Sequence, residues 1–183
     1  MASAYGSWLY GDPRGFRTRH HREHVEGDYR NPPPEGEHAD KLRLARESMR
    51  YPPVVLSRSD RIVVCRAMAD KLVEYDVELV ELSVGGQHAH ILCRFPASLS
   101  GQATPKNLLA DGRCPIPRHL LGRAKRAASV ALLRLGRKAR GRPLWSKRTK
   151  IKPIRSRGHQ IAVVRYIRDH ALEGAAVWSQ LDR

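Results

Sequence analysis

The 183-residue chain has few of the features that mark secreted, membrane or disulfide-rich proteins. Its three cysteines, Cys65, Cys93 and Cys114, lack the spacing of zinc ligands, so neither a disulfide framework nor a cysteine-bound zinc is expected. No apolar run reaches the roughly 18 residues that a membrane-spanning helix needs. The N-terminus has neither a basic start nor an apolar stretch. No secretory signal is therefore predicted, and a cytoplasmic location is expected.

Acidic residues are missing from a long part of the chain. No Asp or Glu lies between Asp111 and Asp169, whereas 18 of the 34 Lys and Arg residues lie at positions 112–168. This segment, the basic block, accounts for the whole excess in a net charge of +16. A block of one sign is typical of a surface that meets a polyanion, and nucleic acid is the first candidate. A membrane surface is less favoured, because the block has no aromatic-rich amphipathic helix.

The hydrophobic pattern predicts an α+β fold with the element order β-α-β-β-α-β followed by a C-terminal helix. Either Ser57 or Ser59 is expected to cap the first long helix, and Gly85-Gly86 is typical of a hairpin. The predicted order is that of ferredoxin-like and RNA-recognition folds, an antiparallel sheet with helices on one face. The predicted elements are strands at 2–10, 77–84, 88–95 and within 144–154, and helices at 60–75, 117–135 and 159–172.

The domain organisation predicted is a single domain over residues 1–183. A polar, proline-rich loop at 16–52 is expected to be inserted after the first strand. A short helix at 39–49 is expected inside this insertion.

Two histidines with one residue between them, His88 and His90, lie in the predicted strand 88–95. Because side chains alternate along a strand, both imidazoles should lie on one face and Ala89 on the other. Two adjacent imidazoles form half of a divalent-metal site. Taken alone, the pair fits equally a partly exposed surface without a ligand.

The last predicted helix carries Tyr166 and His170, which are four residues apart and should share a helix face. They lie at the shoulder of the apolar stripe formed by Val163, Val164 and Ile167, where a side chain can face the sheet without being buried. On this pattern alone, a tyrosine at the edge of the core is the plainer interpretation.

Basic residues surround these two motifs. Cationic side chains in this arrangement suit contacts with phosphates, although any single one of them can be a solvated surface group. The candidate DNA-binding residues are Arg118, Arg123, Lys125, Arg126, Arg155, Arg157, Arg165 and Arg168.

Together the motifs resemble the single-tyrosine HUH transposases, the superfamily of insertion-sequence-200-like and REP-associated tyrosine transposases. The segment GGQHAHILCRF at 85–95 looks like their strand with two histidines around a hydrophobic residue. The stretch from LWSKR to RYIRDH at 144–170 looks like their C-terminal region, and YGSWLYGDPRG at 5–15 resembles the opening of one subgroup. The resemblance covers most of 5–170 and leaves out the loop 16–52 and the tail 174–183.

What the resemblance implies is a metal site and a nucleophile. His88 and His90 match the two histidine ligands, His170 matches the third ligand, and Tyr166 matches the nucleophile. Many relatives have Gln or Asn where His170 stands. Gln87 also departs from the Asn or Asp that often precedes the first histidine.

The activity implied is cleavage and rejoining of single-stranded DNA through a 5′-phosphotyrosine intermediate, assisted by Mg²⁺ or Mn²⁺. Hairpins at the ends of a mobile element and a homodimer are implied as well. From the composition, no membrane partner is expected. Whether the tyrosine helix meets the histidine strand of its own chain or that of a partner subunit stays open.

Two other interpretations remain beside this one. The chain can be a catalytically inactive or domesticated nucleic-acid-binding protein on the same scaffold, with its histidines incidental. It can also be a basic RNA-binding protein. A covalent adduct with single-stranded DNA distinguishes the enzyme from both.

Overall fold

A computed structural model describes residues 1–13, 16–17, 24–25, 34, 36–95 and 116–182. The chain divides into two compact units, one formed by residues 1–4 and 55–183 and the other by residues 5–54. Among the helices in these described ranges, none is long and apolar enough to cross a membrane.

The first unit contains most of the regular structure. Helix α2 (Arg58–Glu74) begins after Ser57, whose Oγ accepts a hydrogen bond from the backbone N–H of Asp60 over 3.2 Å, so the first of the two predicted caps is correct. The elements of this unit are β1 (Ala2–Ala4), α2 (Arg58–Glu74), β4 (Glu78–Val84), β5 (His88–Arg94), α3 (Ile116–Arg134), β6 (Trp145–Thr149), α4 (Arg157–Asp169), β7 (Ala176–Ser179) and a 3₁₀ turn (Gln180–Asp182).

The sheet of this unit has five strands in the order β6-β1-β5-β4-β7, and every neighbouring pair is antiparallel. The first four strands follow the order of a ferredoxin-like sheet, because β1 and β4 lie on either side of β5. The predicted α+β class is therefore confirmed. The fifth strand, β7, extends this sheet at its β4 edge.

The two faces of the sheet have different covers. Leu82, Val84 and Ala89 are completely buried on the face covered by α2 and α3, which pack against each other. Helix α4 lies over the other face, where it contacts β4 and β5. The C-terminal helix thus covers the strand face that carries His88 and His90.

A bulge in β4 sets which side chains face α4. Leu79 pairs with Cys93 and Glu81 pairs with Leu92, so β4 has one extra residue, Val80, between two adjacent pairs. A bulge of this kind reverses the alternation of faces beyond it. As a result Leu79 faces α2 and α3, whereas Glu81 lies under α4.

Most predicted elements have the observed bounds to within two residues, but the first strand and the last helix, which ends at Asp169 and not at 172, differ by more in total. The first strand was predicted at 2–10 but ends at Ala4, because Gly6 adopts a positive φ of 74° that a strand does not accommodate. Helix α4 begins two residues before its predicted start, since the Ser156 Oγ accepts a hydrogen bond from the His159 N–H over 3.1 Å.

The second unit consists of residues 5–54 and contains helix α1 (Ala39–Glu47), close to the short helix predicted at 39–49. Two short strands, β2 (Phe16–Arg17) and β3 (His24–Val25), pair in antiparallel fashion. Within the predicted loop 16–52, most of residues 16–35 lie outside the described residues.

A buried carboxylate ties α4 to two strands. Glu81 on β4 is 1% exposed, and its Oε1 accepts hydrogen bonds from Arg168 Nε and Nη2 over 3.0 and 2.6 Å. Ser179 Oγ on β7 donates to the same oxygen over 2.8 Å and accepts from Arg168 Nη2 over 2.9 Å. Arg168 was predicted to bind DNA, but the structure engages its guanidinium in this intramolecular ion pair.

We expect Arg168→Ala to lower the free energy of unfolding by about 3 kcal/mol, because it leaves the Glu81 carboxylate buried without its cation. Urea unfolding followed by circular dichroism measures the change. Arg165→Ala is the matched control, since Arg165 is an exposed neighbour on α4 and its removal should change stability by less than about 0.5 kcal/mol. Equal effects of the two substitutions would contradict the assignment.

Candidate metal centre

The strand β5 presents two histidines on the face under α4. His88 and His90 alternate with Ala89, which is completely buried on the opposite face and pairs with Val84. The centroids of the two imidazoles are 4.9 Å apart. The strand parity predicted from the sequence is therefore what brings the two rings together.

The end of α4 brings a tyrosine and a third histidine to the same place. His170 is the residue that caps α4, and its ring centroid lies 4.7 Å from that of Tyr166. The His170 ring stacks on His90, with centroids 4.8 Å apart and an interplanar angle of 19°. It also lies 5.6 Å from the ring of His88.

These three histidines can hold a metal ion. One ring nitrogen from each of His88, His90 and His170 lies within 4.8 Å of the other two. The Nε2 of His170 is buried and has no hydrogen-bond partner among the described residues, as expected of a nitrogen directed at a cation. The set of ligands predicted from the sequence thus converges within one chain.

Glu173 orients the third histidine. Its Oε2 lies 3.1 Å from Nδ1 of His170. Because an ionised carboxylate can only accept a hydrogen bond, Nδ1 is the donor in this contact, and a neutral ring then has its lone pair on Nε2. Carboxylates commonly hold metal-binding histidines in this way. Sequence reasoning missed Glu173, although its position three residues after His170 was a usable signal.

His90 is held in the form that binds metals. Burial in the first place, and the neighbouring His88 and His170 after it, lower the pKa of its imidazole to about 3. A neutral imidazole has a lone pair available for a cation, whereas a protonated one does not. A cation can therefore bind at this site without first displacing a proton from His90.

The hydroxyl of Tyr166 lies next to this cluster. Its oxygen is 3.4 Å from Nε2 of His90, and the two ring centroids are 5.0 Å apart. The residue is 51% exposed. A ligand from solution can therefore reach the side chain of Tyr166 beside the histidine cluster.

The candidate DNA-binding residues fall into two groups. Six of them lie exposed on α3 or on α4 and the residues just before it. The other two are engaged within the fold. Besides Arg168, Lys125 Nζ donates to the Ser146 carbonyl over 2.7 Å, and burial lowers its pKa. The six exposed residues are Arg118, Arg123, Arg126, Arg155, Arg157 and Arg165.

A groove of about 900 Å³ opens beside His90 and Tyr166. Its lining includes the apolar side chains of Val163 and Ile167 on α4. Three basic residues that lie between β6 and α4 also line it, namely Lys150, Lys152 and Arg155. Of these, only Arg155 was among the DNA-binding candidates chosen from the sequence.

No protein-family model, no curated protein and no solved structure matches this chain. The features that bear on function are therefore the geometry of Tyr166 and the three histidines, and the charge around them.

Proposed function

We propose that this protein is a transposase-like enzyme that cleaves and rejoins single-stranded DNA through a covalent tyrosine intermediate. The observation that carries the proposal is the position of the Tyr166 oxygen, 3.4 Å from a nitrogen of a three-histidine cluster that can hold a cation. A nucleophile beside a cation site is the arrangement that phosphoryl transfer needs, because the phosphodiester is anionic and repels an attacking oxygen.

The reaction proposed is a transesterification at phosphorus. The Tyr166 oxygen forms a bond to the phosphorus while the bond from phosphorus to the 3′ oxygen breaks. The proton lost by the phenol is balanced by the proton that the departing 3′ oxygen takes up. The phosphotyrosine keeps the energy of the ester, so the reverse step can join the 5′ phosphate to a 3′ hydroxyl without ATP.

A divalent cation bound by His88, His90 and His170 would polarise the phosphate and offset its developing negative charge. The resemblance implies Mg²⁺ or Mn²⁺. Imidazole nitrogens suit transition metals, whereas Mg²⁺ prefers oxygen ligands. We therefore propose Mn²⁺ as the ion that this donor set binds better.

Single-stranded DNA is the proposed substrate because charged and apolar surfaces meet at the groove. Lys150, Lys152 and Arg155 offer charges for the backbone, and Val163 lies on the apolar side. Proteins that bind single strands combine a positive channel with surfaces on which bases can lie.

The test is a covalent adduct on a denaturing gel. A pool of random-sequence single strands, labelled at the 3′ end, is incubated with the protein and Mn²⁺, because the 3′ fragment is the one that would stay attached. We expect a labelled protein band that chelation prevents. Mass spectrometry after nuclease trimming should locate the phosphate on Tyr166.

The outcome also decides between the three interpretations. Tight binding of the strands with no adduct under any metal would overturn the enzymatic proposal and favour a nucleic-acid-binding protein. A marked preference for RNA over DNA, again without an adduct, would favour the RNA-binding interpretation.

The basic block should make strand binding depend strongly on salt, because each phosphate that is neutralised releases counterions. We expect Arg123→Glu with Arg126→Glu to weaken binding of all sequences alike and to reduce the slope of log K against log salt by about 1 to 2. Fluorescence anisotropy over a salt series measures both quantities.

The control for this experiment is Arg46→Glu with Arg50→Glu, which changes the net charge equally but lies on or next to α1, outside the basic block. If this control weakened binding as much, the effect would come from overall charge, and the block would have no special role.

A further inference from the structure

We propose that Arg61 is a positioning residue for the metal centre. Its guanidinium holds two turns that carry histidine ligands, namely Gly85-Gly86, which leads into the strand with His88, and 170–175, which begins at His170. The proposal rests on the proposed function for the use of this centre, whereas its test measures metal binding and needs neither DNA nor a covalent adduct.

The first contact of Arg61 is with the turn that follows α4. Its Nη1 donates a hydrogen bond to the Gly174 carbonyl over 2.8 Å. This turn is closed on itself, because the carbonyl of His170 accepts hydrogen bonds from the N–H groups of Glu173 and Ala175 over 3.1 and 3.0 Å. A shift of the Gly174 carbonyl is therefore passed to the backbone of the third ligand.

The other contacts of Arg61 are with the hairpin before His88. Its Nε donates to the Leu56 carbonyl over 3.1 Å, and the Leu56 N–H donates to the Gly86 carbonyl over 2.7 Å. The guanidinium also lies against Gly86 itself, where a Cβ atom would be only 3.2 Å from Nη2. The Gly85 N–H closes the hairpin by donating to the His88 carbonyl over 2.9 Å. Arg61 thus holds the start of β5 as well as the end of α4.

The residue that joins these turns belongs to a helix fixed in the core. Helix α2 lies on the face of the sheet opposite to α4 and buries Val64, Cys65 and Met68. The half-buried Arg61 side chain suits its place because a guanidinium is a planar fork with donors in several fixed directions. The position of α2 is therefore transmitted to both turns at once.

The spacing of the ligands makes this connection matter for metal binding. One ring nitrogen from each of the three histidines lies within 4.8 Å of the other two. Bonds from a metal to imidazole nitrogen are about 2 Å long, so a small shift of His170 changes how well three nitrogens can bind one ion. Residues that hold ligands in place without touching the metal typically change its affinity by about 10- to 100-fold.

Cobalt(II) is the probe for the test, because it binds imidazole nitrogens more tightly than Mn²⁺ and its visible spectrum reports the coordination geometry. Arg61→Met removes the guanidinium and keeps a long side chain. We expect Co²⁺ to bind at least about 10-fold more weakly and the spectrum of the saturated protein to change. Arg66→Met is the matched control, since it removes the same charge from an exposed position of α2 and should match the wild-type chain in both readouts.

Each outcome of the cobalt titration decides the proposal. A less stable Arg61→Met chain with unchanged Co²⁺ affinity and spectrum would overturn it, because the residue would then have a structural role only. A wild-type chain that binds no Co²⁺ would overturn it together with the metal centre. Weaker binding by Arg61→Met would support it even if the wild-type chain forms no adduct with DNA, in which case the proposed function alone fails.

A double-mutant cycle tests whether Arg61 acts through the third ligand. Arg61→Met is introduced into the wild-type chain and into the His170→Ala chain, and Co²⁺ affinity is measured for all four proteins. Two residues that act on one site have coupled effects, so we expect the loss caused by Arg61→Met to be at least about threefold smaller in the His170→Ala chain. Equal losses in both chains would overturn the proposal.

Circular dichroism like that of the wild-type chain shows that each variant is folded. Where Arg61→Met fails this check, Arg61→Lys replaces it. Lysine keeps the charge and the aliphatic stem but donates from a single nitrogen instead of a fork. The expected and the contradicting results are the same for that variant.

Discussion

Replacing Tyr166 with phenylalanine should abolish the covalent adduct and strand cleavage while leaving the fold, metal binding and strand binding unchanged. The substitution removes one oxygen and keeps the ring, whose centroid lies 4.7 Å from that of His170 and 5.0 Å from that of His90. Phenylalanine has no nucleophile, so we expect loss of the adduct to the detection limit. The denaturing gel with 3′-labelled strands measures it, and anisotropy measures binding by the same preparation.

Tyr75→Phe is the matched control for this prediction, because Tyr75 caps α2 and is not part of the centre. It should form the adduct at the wild-type rate. An adduct formed by the Tyr166→Phe chain would show that another residue is the nucleophile.

Removal of His88 should produce the second large effect, on metal affinity. His88→Ala leaves two ring nitrogens where the structure brings three together. We expect Mn²⁺ to bind at least about 100-fold more weakly. Loss of a residue that only hydrogen-bonds to a metal ligand already lowers metal affinity by about 10- to 100-fold. Calorimetric titration of the DNA-free protein measures the change, and the adduct yield at fixed Mn²⁺ should fall with it.

His159→Ala is the control for His88, as both are histidines of the same unit but His159 lies in the first turn of α4, outside the cluster. Its affinity for Mn²⁺ should match that of the wild-type chain. A His88→Ala chain that bound Mn²⁺ as tightly as this control would remove the basis for a three-histidine centre.

The parts of the centre that the sequence predicts correctly are local. His88 and His90 share a face because they are two residues apart on a strand, and Tyr166 meets His170 because they are four residues apart at the end of a helix. These relations follow from the period of each element alone. That the two pairs meet depends on the packing of α4 over β5, which the sequence indicated only through the family resemblance.

Two of the candidate DNA-binding residues have partners within the fold that are distant in the sequence. Arg168 lies in the basic block, but its partner Glu81 is 87 positions away, and the burial of that carboxylate is not visible in the sequence. Lys125 likewise donates to the carbonyl of Ser146, which is 21 positions from it. Strand β7 has only four residues, too few to show a period, and its register depends on the exposed edge of β4.

The bulge at Val80 also determines where the chain tolerates the loss of a residue. Deleting one residue inside a strand normally turns every following side chain to the wrong face. Deleting Val80 would instead leave a strand with regular alternation, in which Leu79 and Leu82 still share one face and Glu81 keeps the other. We expect the chain without Val80 to fold, whereas deletion of Ser83, where the pairing is regular, should abolish folding. Thermal unfolding of the two deletion variants compares them directly, and equal damage from both would contradict this account of the strand.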